Sequence, residues 1–123
     1  MAVALGEGEA ETLVELLTSG QPVVPSLWHI EIGNAILMSE RRGRLALQAV
    51  QPLLSRLAAL EVETDGETVQ KCWSDTLAAA QRHRLTLYDA AYLELALRRR
   101  LPLASLDREL RAAAVKEGVA VLP

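Results

Sequence analysis

Phenylalanine is absent from this chain of 123 residues, cysteine occurs once, and no lysine or arginine precedes Arg41. Each absence closes a possibility. A lone Cys72 rules out a disulfide framework and a four-cysteine zinc site, and it suits a reducing compartment. No apolar run approaches the roughly 18 residues of a membrane span. The opening Met-Ala-Val-Ala-Leu-Gly-Glu has neither the basic start nor the apolar length of a secretion signal. The chain therefore reads as cytoplasmic, with no membrane partner. Without Phe, and with Leu and Ala dominant, helix is the expected main ingredient. Aspartate is also scarce, and none occurs before Asp65.

What remains is an ordinary globular composition, 50% hydrophobic and 24% charged. The length suits one domain spanning residues 1–123 with a real core. The net charge of −3 is unevenly spread. The first 40 residues hold only acids, whereas arginines cluster at 41–44, 82–84 and 98–100. Arginine forks suit phosphate or carboxylate recognition. Cations also finish helices favourably at the negative dipole end, so each cluster has a structural reading of its own.

Helical patterns alternate with short apolar runs. Residues 9–18 read as an amphipathic helix with Leu13, Leu16 and Leu17 inward. Pro22-Val-Val-Pro25 reads as a short buried strand. Ser26 is placed as the cap of a long helix to about Arg42, closed by Gly43. Helix is expected again over 45–59 despite Pro52, a strand over 61–64, and a helix from an Asp65 cap to about Arg84. Thr86 caps the next helix, which runs to Arg100, with Asp89 three residues on in a capping-box variant. A strand over Leu101–Ser105, a helix from Asp107 to Glu117 closed by Gly118, and a strand over Val119–Leu122 complete the chain. Strands interleaved with helices imply an α/β fold, a parallel sheet covered on both faces. Such sheets bind ligands at the carboxyl ends of their strands, where Asp107 falls.

Three acids stand where carboxylates are awkward for folding. Glu31 lies in Ser-Leu-Trp-His-Ile-Glu-Ile-Gly-Asn-Ala-Ile-Leu-Met, Asp89 in Leu-Thr-Leu-Tyr-Asp-Ala-Ala-Tyr-Leu, and Asp107 directly after Leu-Pro-Leu-Ala-Ser-Leu. Ionised groups enter apolar segments only when something offsets their charge, and one hard divalent cation can serve several acids together. Each also has a plain structural reading: Asp89 as capping-box partner of Thr86, Asp107 as a helix cap, Glu31 as a surface residue. His29 and His83 have no ligand spacing to a second His or Cys, and Cys72 has no base partner.

These segments resemble the PIN-domain family, in particular the VapC-type toxins of bacterial toxin–antitoxin pairs. The resemblance is carried by Val24 to Leu37, by Glu40-Arg-Arg-Gly-Arg-Leu45, by Arg84 to Leu97, and by Leu101-Pro-Leu-Ala-Ser-Leu-Asp107. It implies a three-layer α/β/α domain with a short parallel sheet. It also implies a metal-dependent ribonuclease in which Glu31, Asp89 and Asp107 hold Mg²⁺ or Mn²⁺, supported by Asn34, Thr86 and Ser105. The partners implied are an RNA substrate, a cognate antitoxin protein and a second copy of the chain. A homodimer is expected on independent grounds too, because the helices at 26–42 and 45–59 carry more apolar surface than a small sheet covers.

One departure stands out. The family usually opens with a central hydrophobic strand ending in an Asp that ligates metal, whereas Met1 to Glu7 reads like the helix that follows such a strand. Glu7 and Glu9 are not promoted to that role. The expectation is an apparently missing first strand, or another element in its place, or sequence upstream. A gap would leave unpaired backbone inside the sheet. Three acids would hold an ion more weakly than four, so this chain is expected to cleave RNA poorly or not at all. The missing Asp also opens a second reading, a catalytically disabled PIN-like module that keeps dimerisation and antitoxin or RNA binding.

Overall fold

Four strands of two residues each form one parallel sheet in a computed structural model that describes residues 2–3 and 20–122. They are β1 (Ala2–Val3), β2 (Val23–Val24), β3 (Glu63–Thr64) and β4 (Leu103–Ala104), in the order β3-β2-β1-β4. The expected helix over 9–18 and the residues Glu7 and Glu9 lie outside the described residues.

The central slot is filled. Ala2 pairs with both Val23 and Leu103, and its N–H donates to the Pro102 carbonyl at 2.9 Å. The helix-like reading of Met1 to Glu7 therefore fails at Ala2–Val3, and the expected missing strand is replaced by this pair. The reason is backbone satisfaction. An empty slot between β2 and β4 would bury unpaired N–H and C=O groups, a larger cost than overriding a weak helix preference. Val23 and Val24, β-branched and buried, suit a strand covered on both faces. The ladder continues past them through Glu63 N–H to the Pro22 carbonyl and Asp65 N–H to the Val24 carbonyl. Val119–Leu122 contributes only an isolated bridge, Val121 to Leu103.

The helices among the described residues are α1 (Trp28–Arg41), α2 (Leu47–Ala58), α3 (Thr68–Lys71), α4 (Asp75–His83), α5 (Leu87–Arg99) and α6 (Arg108–Lys116). Two expectations need correction. Ser26 does not cap α1; Leu27 holds that position, and the Ser26 N–H instead donates to Thr68 Oγ1 at 3.0 Å. The helix expected from Asp65 to Arg84 is broken at Cys72–Ser74, where Ser74 leaves helical geometry at φ −117° and ψ −97°. Helix ends at Gly43 and Gly118 follow expectation, both with positive φ. The ends of α4 and α5 use the same left-handed turn without glycine, through Arg84 at φ 53° and Arg100 at φ 55°.

The core runs along α5. Ala90, Tyr92, Leu93, Leu95 and Ala96 are buried against Ala2, Val24, Leu103 and Leu110. This explains why α5 is apolar almost all round: β1 and β4 lie along it, and α4 and α6 pack against it.

Candidate functional site

Asp107 follows β4 by three residues and caps α6. Its Oδ2 accepts from the Leu110 N–H at 2.8 Å, and its own N–H donates to Ser105 Oγ at 3.1 Å. Ser105 is buried, and Arg111 holds the turn by donating to the carbonyls of Ser105 at 2.9 Å and Leu122 at 2.8 Å. The loop between strand and helix is therefore tied down on both sides. Asp89 is fixed by the first turn of α5, where Thr86 Oγ1 accepts from the Asp89 N–H at 3.1 Å. Glu31 projects from the first turn of α1, and its Oε1 accepts from the Tyr92 hydroxyl at 2.5 Å. Tyr92 lies three residues after Asp89 on α5, so this bond joins α1 and α5 beside Asp89. Asn34, one turn beyond Glu31, is exposed.

The three acids form an electrostatic chain. Burial pushes the Glu31 carboxyl above its ordinary value; the Tyr92 bond offsets part of the rise and the Asp89 charge adds to it. Burial likewise raises Asp89, reinforced by the charge of Asp107, eased by Thr86 and raised further by Glu109. Tyr92 is pushed up in turn by burial and by its bond to Glu31, so its hydroxyl stays a proton donor. No Lys, Arg or His pairs with Glu31, Asp89 or Asp107 among the described residues. Nor do any three His, Cys, Asp or Glu side chains among those residues gather closely enough to ligate one ion directly. In kind, though, the donor set fits a hard divalent cation: three carboxyl groups, two of them costly to ionise where they sit.

A second acid cluster was missed by the sequence reading. Asp65, Glu94 and Arg98 form a nearly closed network, with Asp65 and Glu94 buried and Arg98 only 17% exposed. Arg98 donates from Nη2 to Asp65 Oδ2 at 2.7 Å, from Nε to Glu94 Oε2 at 2.7 Å, and from Nη1 to Glu67 at 3.0 Å. The Asp65 carboxyl is held below its usual range by the Arg98 guanidinium, against burial. One signal was available, the Glu94–Arg98 pair at i, i+4 in an otherwise apolar helix.

The PIN domain family matches over residues 1–116. This chain belongs to the PIN domain family. A solved structure similar to this PIN chain is that of PAE2754 from Pyrobaculum aerophilum, at 24% identity and a TM-score of 0.66, covering 91% of this chain and 82% of the other. At that identity the likeness bears on the fold. No curated protein matches. PIN domains are generally metal-dependent nucleases. Among the described residues of this one, no helix is long and apolar enough to cross a membrane.

Proposed function

We propose that this PIN domain, a single unit over residues 1–123, is an endoribonuclease toxin of a VapC-type toxin–antitoxin pair, acting in the cytoplasm and hydrolysing RNA phosphodiester bonds with Mg²⁺ or Mn²⁺. One observation carries the reading. Glu31 and Asp89 are raised by burial and by neighbouring acids, and no basic side chain neutralises them among the described residues. A divalent cation is the partner that such a set calls for.

Glu31, Asp89 and Asp107 are the groups that would hold the ion, and part of its shell would be water, which Mg²⁺ gives up reluctantly. Bound there, the cation supplies activation of water and stabilisation of the charge that develops on the phosphate oxygens. The protein's own residues position these acids. Tyr92 orients Glu31, Thr86 fixes the turn that presents Asp89, and Ser105 steadies the backbone of Asp107. The cap bond to Leu110 engages Oδ2 of Asp107 and leaves Oδ1 outside that bond. The partners proposed are a cognate antitoxin and a second copy of this chain. Ile30 and Leu37 on α1 and Leu47 on α2 are exposed apolar groups, and these two helices are the face offered for pairing. A dimeric mass by light scattering checks that assignment.

The test of the activity is RNA cleavage by this chain in Mn²⁺, compared with Asp89→Asn. Slow cleavage that disappears in the variant, and in EDTA, supports the nuclease reading. Metal-dependent cleavage that survives Asp89→Asn places the site elsewhere.

The second reading, a disabled module that binds without cutting, is favoured by one observation. No Asp precedes Asp65, so the acid that usually ends the first strand of the family has no aspartate counterpart in this chain. RNA binding by the unaltered chain with no cleavage in Mg²⁺ or Mn²⁺ selects it.

A further inference from the structure

The chain spends its aromatic residues sparingly, with two Trp and two Tyr. Trp28 and Tyr92 are buried, whereas Tyr88 stays 62% exposed in the first turn of α5, directly before Asp89. Tyr88 stands four residues before Tyr92, whose hydroxyl reaches Glu31, so both rings project from one face of α5. Helical side chains lean toward the N-terminus of their helix, which carries the Tyr88 ring toward Thr86 and the turn that presents Asp89. The exposed ring therefore stands beside the turn that carries Asp89.

Two exposed arginines lie close in sequence to the acid turns. Arg84, two residues before Thr86, has a charge that suits its helix end but a strained backbone, and Arg108 has a charge that its helix end disfavours. Arg84 closes α4 in the left-handed conformation at φ 53°, where glycine is least strained. Arg108 opens α6 immediately after Asp107, at the positive end of the helix dipole, where a cation is disfavoured. Neither side chain makes a hydrogen bond or ion pair among the described residues.

We infer that Tyr88 stacks on an unpaired base of single-stranded RNA at this site, while Arg84 and Arg108 take the flanking phosphates. The inference rests on the nuclease reading for bringing RNA to these acids. Three carboxylates repel a phosphodiester, so affinity has to come from groups around them. A tyrosine ring offers a π-face that any base can use, and arginine forks suit phosphate oxygens. The strand must be unpaired there, because a duplex keeps its bases stacked inside and hides their faces.

The experiment is fluorescence anisotropy in EDTA, where cleavage cannot interfere. The probes are a labelled oligouridine, the same strand paired with oligoadenine, and an abasic strand of equal length. Tyr88→Ala should bind oligouridine about ten-fold more weakly, the loss of one base stack. It should bind the duplex and the abasic strand as the unaltered chain does, and Tyr88→Phe should restore the oligouridine affinity. Arg84→Gln and Arg108→Gln should weaken oligouridine and the abasic strand alike, with a shallower salt dependence. Because the ring is exposed, the thermal midpoint of Tyr88→Ala should not fall, so a binding loss cannot come from unfolding. Unchanged oligouridine binding by Tyr88→Ala overturns the proposal, as does an equal loss on the abasic strand. Loss of self-association in Tyr88→Ala with RNA binding intact also overturns it, and gives the ring to a protein contact. Cleavage by Asp89→Asn is scored separately. Asp89-dependent cleavage with no Tyr88 effect sinks the stacking alone, whereas a Tyr88 effect without Asp89-dependent cleavage sinks the nuclease reading alone.

Discussion

Two groups of acids, one gathered at each end of α5, have opposite fates. Toward its C-terminal end, Glu94 and the neighbouring Asp65 close on Arg98, and the Asp65 carboxyl is held below its usual range. At its N-terminal end, Asp89 faces Glu31 and Asp107 with no basic partner among the described residues, and burial pushes it above its usual range. The first group is neutralised within the chain and binds β3 to α5. The second holds charge that the fold does not offset. Burial of carboxylates by itself says little about function; whether the chain supplies the countercharge separates a strut from a candidate site.

The largest effect should come from breaking the paired cluster. Arg98→Met leaves Glu94 (5% exposed) buried without a partner, and Asp65 (4% exposed) with only the Glu67 N–H, the Thr68 hydroxyl and the more distant Arg99. A broken buried ion pair costs about 3 kcal/mol, the low end of the usual range because water reaches Arg98. In a domain of this size that lowers the thermal midpoint by roughly 10 °C. A midpoint within a degree or so of the unaltered chain would mean that the network contributes nothing to the fold.

The unpaired group should respond in the other direction. Asp89→Asn removes a charge that its neighbours repel, so calorimetry should find stability unchanged or slightly raised. Mn²⁺ binding, read by isothermal titration, should weaken about a hundred-fold on the proposed function, in which a neutral amide would replace an anionic ligand of a hard cation. A loss of stability comparable to that of Arg98→Met would make Asp89 structural and erase the contrast between the two ends of α5.

Acidity gives a gentler comparison. Glu31 and Asp89 bind protons more tightly in the folded chain than in the unfolded one, so ionising them costs stability as pH rises above 4.5 and 3.8, their ordinary values. Asp65 is lowered, so its contribution is present above 3.8 and is lost as pH falls through its depressed folded value. Protons compete with metal at the raised pair, so Mn²⁺ affinity should begin to fall at a pH above the ordinary carboxylate range. Denaturant melts across pH should show Asp89→Asn losing less stability than the unaltered chain as pH rises from 4 toward 7, an interval set by about those ordinary values. Parallel curves would argue that Asp89 is not desolvated.

Most of what positions the site was legible in the sequence, because it rests on local chemistry. Thr86 and Asp107 cap their helices through side-chain oxygens, and Gly43 and Gly118 end theirs. The three acids stood out by conflict with their apolar surroundings. What escaped depends on partners distant in sequence. Two residues are too few to show strand periodicity, and Ala2–Val3 become a strand through neighbours at Val23 and Leu103. Asp65 looked like a cap because its ligand, Arg98, lies 33 residues away. The break at Cys72–Ser74 carries no Gly or Pro to announce it.

The smallest effect compares two arginines in one conformation. Arg84 and Arg100 have φ of 53° and 55°. Each is followed by a residue whose N–H reaches back to the closing turn, Leu85 to the Ala80 carbonyl at 3.0 Å and Leu101 to Ala96 at 2.9 Å. Gly43 and Gly118 make the same turn with Arg44 to Ser39 and Val119 to Ala114, both at 2.9 Å. Replacing either arginine by glycine relieves the left-handed strain, partly offset by the greater entropy of an unfolded glycine. The net gain should be about 0.5 kcal/mol at either position. The two variants should part in function. Arg100 lies at the far end of α5, about 20 Å along the axis from the turn that presents Asp89. Arg100→Gly should therefore be more stable with unchanged RNA affinity, whereas Arg84→Gly should be more stable and bind oligouridine more weakly. If both variants bind RNA alike, Arg84 has no part in the site, and its left-handed turn is only a helix end that glycine would make better.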